Sequence, residues 1–259
     1  MRKMFRVSVF LFIVWCGFNS QDTVSAQISE FSELRLEISI AKRSFRQLEP
    51  IAINFKVSNP TDHPIVGHTA FNLTSNATVL LVRAENEKEV SFSGFSPTPK
   101  QVGLVTRPIK PGESVEVDNI LDYPLMEIFP KPGVYRLRAK MTNWGKPGFA
   151  VSAPVTITVV APEGTDKDAF DFILKTPNPD MFYTGDGNLG RSEKNWRQFL
   201  DRYPNCIYSD FVTFSLARHL FYRNEIGESA MLFGQLTEKT DFPYREKSLF
   251  FLSETKKKE

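Results

Sequence analysis

The sequence predicts an α+β protein: an antiparallel β-sandwich followed by a small α-helical region. Three observations carry that expectation. Between Glu33 and Val160 apolar residues recur with a period of two, and Pro- and Gly-rich turns separate the runs. No helical pattern lies between those runs, which argues against a parallel sheet with crossover helices. After Ala161-Pro162-Glu163-Gly164 the apolar spacing changes to three and four. With 259 residues, 41% hydrophobic and 24% charged, the chain is long and apolar enough for one or two domains with real cores. Lys and Arg number 32 against 30 Asp and Glu, so excess positive charge is not available to hold a nucleic acid.

Taken in order, residues 1–26 read as a secretory signal peptide. Arg2, Lys3 and Arg6 precede the apolar run Val7–Phe18, and Val24-Ser25-Ala26 offers a small-residue cleavage site. The run is short of the roughly 20 apolar residues that span a bilayer as a helix, and no later stretch substitutes for it. The mature chain is therefore expected to be secreted or periplasmic, without a stable membrane span. Lipid anchoring at Cys16 and an uncleaved anchor remain alternatives, although Trp15 stands where a lipoprotein signal carries Gly or Ala. Cleavage after Ala26 removes Arg2, Lys3, Arg6 and Asp22, which takes the formal charge from +2 to neutral. Cys206 is then alone, so no disulfide closes within the chain and the fold rests on its core. No basic neighbour in sequence would activate that thiol, so it reads as a small half-buried residue.

The sandwich is expected over residues 27–161. Leu34, Leu36, Ile38 and Ile40 alternate with Arg35, Glu37 and Ser39. Ile51, Ile53, Phe55 and Val57 repeat the pattern after Glu49-Pro50, and Asn59-Pro60-Thr61-Asp62-His63-Pro64 ends that strand with turn residues. Further strands are predicted over Thr78–Ala84, Glu89–Phe92, Ser114–Val117, Val134–Met141 and Val151–Val160. Pro111-Gly112 and Pro132-Gly133 each stand just ahead of a strand, and Tyr135 follows the second Gly by two residues. This arrangement resembles the tyrosine corner of immunoglobulin-like domains, whose Tyr hydroxyl bonds to nearby backbone. From Leu48 to Met141, the Leu48-Glu49-Pro50-Ile51 opening, the Lys110-Pro111-Gly112-Glu113 turn and the Gly133-Val134-Tyr135 corner also resemble the small sandwich of the intracellular proteinase inhibitor of bacilli. That likeness implies a fold far more than an inhibitory activity.

Residues 162–191 read as a short helix and a loop. Thr165 and Asp168 form a capping-box pattern, and Ala169, Phe172 and Ile173 share one face until Pro177. The segment 192–259 carries three further helices. Trp196, Phe199, Leu200 and Tyr203 recur at helical spacing. The longest helix, about Ile207–Arg223, places Ile207, Phe211, Phe214, Ala217 and Phe221 on one face and Tyr208, Val212, Leu216 and Leu220 on another. An apolar arc that wide belongs to a helix packed between neighbours. Phe199–Asn205 before that helix, Ala217 within it, Asn224-Glu225-Ile226-Gly227, Ala230, Phe233 and Asp241-Phe242-Pro243 resemble tetratricopeptide-type helix pairs. The family's Trp and Leu-Gly positions are missing. Such pairs need about three repeats to bury their faces, so the segment is expected to pack on its own long helix, on the sandwich or on a partner.

No motif specifies a reaction, a metal or a cofactor. Gly185-Asp186-Gly187-Asn188-Leu189-Gly190 has the spacing of a dinucleotide fingerprint, yet no strand precedes it. Asp180, Asp186 and Asn188 are oxygen ligands without the remaining pattern of a calcium loop. His63 and His68 lack zinc-site spacing, and Cys206 with His219 is not a recognisable nucleophile pair. Asn72 and Asn76 head acceptor sequons, and Lys256-Lys257-Lys258 reads as a solvated end. The chain is thus read as a non-enzymatic binding or scaffold protein for another exported or envelope protein. Trp196, Tyr208, His219, Tyr222 and Arg223 are the candidate anchors, as aromatic and Arg residues dominate interfaces. Filling the helical core is the plainer role for each of them. Proteinase inhibition through the loop Ser93–Pro108 is the second reading.

Overall fold

The computed structural model describes residues 33–68, 78–93, 106–142, 148–184 and 189–258. The expected signal segment, Asn72, Asn76, most of the Ser93–Pro108 loop, and Gly185 to Asn188 lie outside these residues. Among the described residues the chain is α+β, with antiparallel sheets followed by helices. The strands are β1 (Arg35–Ser39), β2 (Ser44–Arg46), β3 (Ile51–Ser58), β4 (Ile65–His68), β5 (Thr78–Ala84), β6 (Val90–Ser93), β7 (Thr106–Ile109), β8 (Ser114–Leu121), β9 (Gly133–Thr142), β10 (Phe149–Val151) and β11 (Val155–Val160). Among the described residues one sheet runs β1-β3-β8, a second runs β2-β11-β9-β5-β6 with β10 beside β9, and β4 and β7 form a third of two strands. All pairings are antiparallel except β2 with β11.

Period-two patterning explains the register. Leu36 and Ile38 of β1 face Val57 and Phe55 of β3, and Leu80 and Val82 of β5 face Ala139 and Leu137 of β9. These residues are all buried, and the inner sides of both sheets enter one apolar core. A one-residue slip would turn every one of them to solvent.

The turns follow their chemistry. Gly112 takes φ +73°, and Glu113 N–H closes on Lys110 C=O at 2.9 Å. A side chain there would have to enter the left-handed region, which explains Gly in the Pro-Gly pair. Asn59 is buried and saturated: its Nδ2 donates to His63 and Ile109 carbonyls at 2.8 Å, and its Oδ1 accepts from Thr61 N and Oγ1. Tyr135 Oη donates to Lys131 C=O at 2.6 Å, the hydroxyl-to-backbone bond expected of its position.

Three short strands went unread because each has too few residues to show a period: β2, β4 and β7. The expected Val151–Val160 strand is two strands, since Ala153-Pro154 interrupts the ladder. Helix α1 (Leu125–Ile128) is a single turn buried at both ends. Helix α2 (Gly164–Leu174) begins one residue before Thr165, so the capping box is not formed. Its N-cap is Glu163, without a side-chain cap bond. Asp166 instead accepts from Ile207 N–H at 3.0 Å.

Helices α3 (Leu189–Arg202), α4 (Ser209–Tyr222), α5 (Ile226–Thr237) and α6 (Arg245–Thr255) pack as successive neighbours. The wide apolar arc of α4 is explained by its position: Phe211, Val212, Phe214, Leu216, Ala217, Leu220 and Phe221 are all buried. Asn224 ends α4 at φ +65°, where its N–H bonds Phe221 C=O and Glu225 N–H bonds Leu220 C=O. That is a Schellman turn with Asn in the left-handed position. Helices and sheets share the same core. Tyr208 Oη donates to Gln47 C=O at 2.8 Å, Tyr244 Oη donates to Asp122, and Met126 N–H donates to Asp180 Oδ1 at 2.6 Å. Burial raises the Asp180 carboxyl pKa, with Met126 N–H acting against that rise. Lys256, Lys257 and Lys258 are exposed near the chain's end, and Lys258 Nζ also lies 3.9 Å from the centre of the Phe221 ring, a cation–π contact. Among the described residues no helix is long and apolar enough to cross a membrane.

Candidate functional site

A cleft of about 830 Å³ lies where the sheets meet the helices. Its size falls within the range of ligand sites, which favour junctions between structural units. Phe45 from β2, Phe211 from α4 and Phe242 from the α5–α6 turn supply an aromatic floor. The Phe211 and Phe242 rings pack with their centres 5.4 Å apart on the helical side of the floor. The rim is charged, with Glu49, Asp210, Glu238 and Asp241 against Lys42 and Lys239. Lys42 pairs with Glu49 at 2.5 Å, and Lys239 pairs with Asp210. Among the described residues, Glu238 and Asp241 carry no ion pair, and both are exposed.

The sheet-side wall is held in an unusual backbone shape. Leu48 is buried at φ +61°, a strained conformation for a branched, bulky side chain. Four bonds hold the turn around it. Glu49 N–H bonds Arg46 C=O, Gln47 N–H bonds Val160 C=O, Tyr208 Oη bonds Gln47 C=O, and the buried Glu49 carboxylate accepts Arg46 N–H at 2.8 Å. The last of these also occupies an amide of the edge strand β2.

The five residues read as anchors fall in three places. Trp196 is 2% exposed and donates Nε1–H to Phe182 C=O at 2.6 Å. Tyr208 is fully buried against the sheets. His219 is also buried, and its ring lies 5.8 Å from Trp196. None of these three is exposed: Trp196 and His219 fill the packed interior between helices, and Tyr208 fills the junction of helices and sheets. This corrects the expectation for Trp196, Tyr208 and His219: an apolar helical stripe reads alike whether it lines a groove or a core. Tyr222 is 65% exposed at the end of α4, and Arg223 lies beside it.

Glu193 is the organising residue that the sequence did not disclose. Its carboxylate accepts from Arg197 Nε at 2.9 Å, His219 Nε2 at 3.1 Å and Arg223 Nη1 at 2.9 Å. Arg197 also grips Glu228 with both terminal nitrogens, and Arg223 Nε pairs with Glu225 at 3.0 Å. Partial burial pushes the Glu193 carboxyl pKa up, but the bonds from Arg197 and His219 outweigh it and leave the pKa lowered. The network ties α3, α4 and α5 together. Only the i,i+4 pair Glu193–Arg197 was visible as a spacing.

Positions weighed for chemistry are otherwise placed. His63 Nδ1 lies 3.1 Å from Asp62 and Nε2 lies 3.6 Å from Glu33. Burial pushes the Cys206 thiol up, and Sγ sits 3.2 Å from Ser209 Oγ, which makes it a poor nucleophile. Among the described residues no three metal-ligating side chains converge.

No family model and no curated protein matches the sequence. Among solved structures, similarity is found to a β-glucosidase from Erythrobacter marinus, at 14% identity and TM-score 0.31, over 49% of this chain and 15% of that one. A β-glucosidase from Listeria innocua in complex with glucose matches at 14% identity and TM-score 0.30, over 50% of this chain and 16% of that one. A CARDB domain from Pyrococcus furiosus in complex with di-metal ions matches at 14% identity and TM-score 0.28, over 51% of this chain and 97% of that domain. The chain thus spans only about a sixth of the glucosidases it matches. Likenesses of this depth carry neither fold nor activity to this chain.

Proposed function

We propose that this chain is an exported, non-enzymatic binding protein: an immunoglobulin-like sandwich docked on a tetratricopeptide-like helical segment, holding a partner in the cleft between them. The bond from Tyr135 to Lys131 supports the first likeness, and the successive packing of α3 to α6 supports the second. One observation carries the function: an aromatic floor ringed by acidic groups, two of them unpaired, at the junction of sheets and helices. An apolar side chain would bury against Phe45, Phe211 and Phe242, and Lys or Arg beside it would meet Glu238 and Asp241. The ligand is accordingly a segment of an exported protein in which an apolar residue is flanked by basic ones. The strained Leu48 turn keeps the wall in place before binding, which lowers the ordering cost.

The test is photo-crosslinking in the native host, with the reactive residue at Thr240 on the rim and, as a control, at Lys110 on the far turn. One protein captured from Thr240, absent from Lys110, and lost when Glu238→Lys and Asp241→Lys are introduced together supports the reading. Identical adducts from both positions, or adducts unaffected by the charge reversal, refute it.

A further inference from the structure

A second feature lies on the outer side of the larger sheet. Along β9, Tyr135, Leu137 and Ala139 point into the core, so Arg136 and Arg138 point out. The ladder sets Arg83 of β5 directly opposite Arg136, and Thr156 of β11 opposite Arg136 on its other flank. Three guanidinium groups therefore share one face across adjacent strands. They line a hollow of about 210 Å³ with Pro154, and Glu89 is the one carboxylate in its lining.

Two arginines directly opposite one another are an unfavourable cross-strand pair. Among the described residues no ion pair relieves it. Glu89 reaches only Arg138, at 3.8 Å, and Arg138 Nε is already fixed by Ser152 C=O at 3.2 Å. Among the described residues no ion pair joins Arg83 or Arg136. Elsewhere on the surface Lys131, Arg197, Arg223 and Lys239 each have a carboxylate within reach. Three positive groups against one negative leave two charges of one sign in a small concave space.

We propose that this hollow binds a tetrahedral dianion, a phosphate or sulfate group, through Arg83 and Arg136, with Arg138 held ready by Ser152. Guanidinium forks match the paired oxygens of such a group, and the hollow takes one group rather than a large ligand. The group comes either from a soluble molecule or from a surface-bound headgroup. This site is separate from the aromatic cleft and stands whether or not that cleft holds a partner.

The experiment is thermal unfolding of the full mature chain with inorganic phosphate, against chloride at matched ionic strength. For the wild type, phosphate raises Tm beyond the chloride control. In R83Q/R136Q the phosphate needed for the same rise is greater by about tenfold or more, because two charge-assisted contacts are lost. The same variant has the higher Tm in chloride, as the opposed charges are gone. If the double variant does not fold, R83Q alone is compared in the same way. Equal phosphate responses in wild type and variant, or a wild-type response matched by chloride, overturn the proposal. With the phosphate response present, vesicles of phosphatidic acid in phosphatidylcholine identify the source. Sedimentation that R83Q/R136Q abolishes supports a headgroup, and failure to sediment supports a soluble anion.

Discussion

Replacing Tyr208 and Tyr244 together by Phe tests whether helices and sheets are one folding unit. Both rings stay buried, and Tyr244 keeps its stack on Phe214 at 4.5 Å, so the perturbation is confined to two hydroxyls. Tyr208 Oη donates to Gln47 C=O, a neutral bond worth about 1 kcal/mol net. Tyr244 Oη donates to the Asp122 carboxylate, a bond to a charged group worth about 1.5–3 kcal/mol. Independent losses sum to about 2.5–4 kcal/mol. For a chain of this size each kcal/mol lowers Tm by about 2–4 °C, so the double variant should melt about 5–16 °C lower. The assay follows unfolding by far-UV circular dichroism and, in a Trp144→Phe background, by tryptophan fluorescence, so that after removal of residues 1–26 the signal reports Trp196 within the helices. The two probes should give one coincident transition that shifts as a whole. A double variant within about 0.5 kcal/mol of wild type would refute the reasoning. So would two transitions of which only one moves.

Three further outcomes are expected. Tyr183 is buried and its hydroxyl has no hydrogen-bond partner among the described residues, so Tyr183→Phe should stabilise by about 1 kcal/mol in a denaturant titration. Asn59→Ala removes four bonds and takes the Asn59 donor from Ile109 C=O, while His63 C=O keeps the Thr61 hydroxyl, at a cost of about 2–4 kcal/mol, and Asn59→Asp should recover little because its carboxylate cannot donate to those carbonyls. Glu193→Gln should destabilise at neutral pH by about 1–3 kcal/mol, since it removes the charge shared by Arg197, His219 and Arg223. The Glu193 carboxyl pKa is lowered in the folded state, so its contribution is present above the ordinary value of 4.5 and is lost as pH falls through the folded value. Unfolding of wild type and Glu193→Gln should therefore converge in acid, and a gap independent of pH would contradict the assignment.

The sequence by itself determined the strands that alternate over five residues or more, the Pro-Gly turns, the bond of Tyr135 to nearby backbone, and the change to helix after Ala161. These are local facts: a period of two, a left-handed glycine and a helical stripe are each written in a handful of consecutive residues. It also marked the longest helix as packed on more than one side, because its apolar arc is too wide for a single neighbour. Tertiary structure alone decided the rest. Trp196, Tyr208 and His219 became core rather than surface because the neighbours that cover them lie far away in sequence, as Gln47 does for Tyr208. Glu193 became the centre of a network only when α3, α4 and α5 came together. The floor of the cleft joins Phe45 to Phe211 and Phe242, and the hollow joins Arg83 to Arg136, across separations that no local pattern records. Single-residue chemistry and short periods belong to the chain, whereas a binding surface is a sum over distant segments and exists only after they have packed.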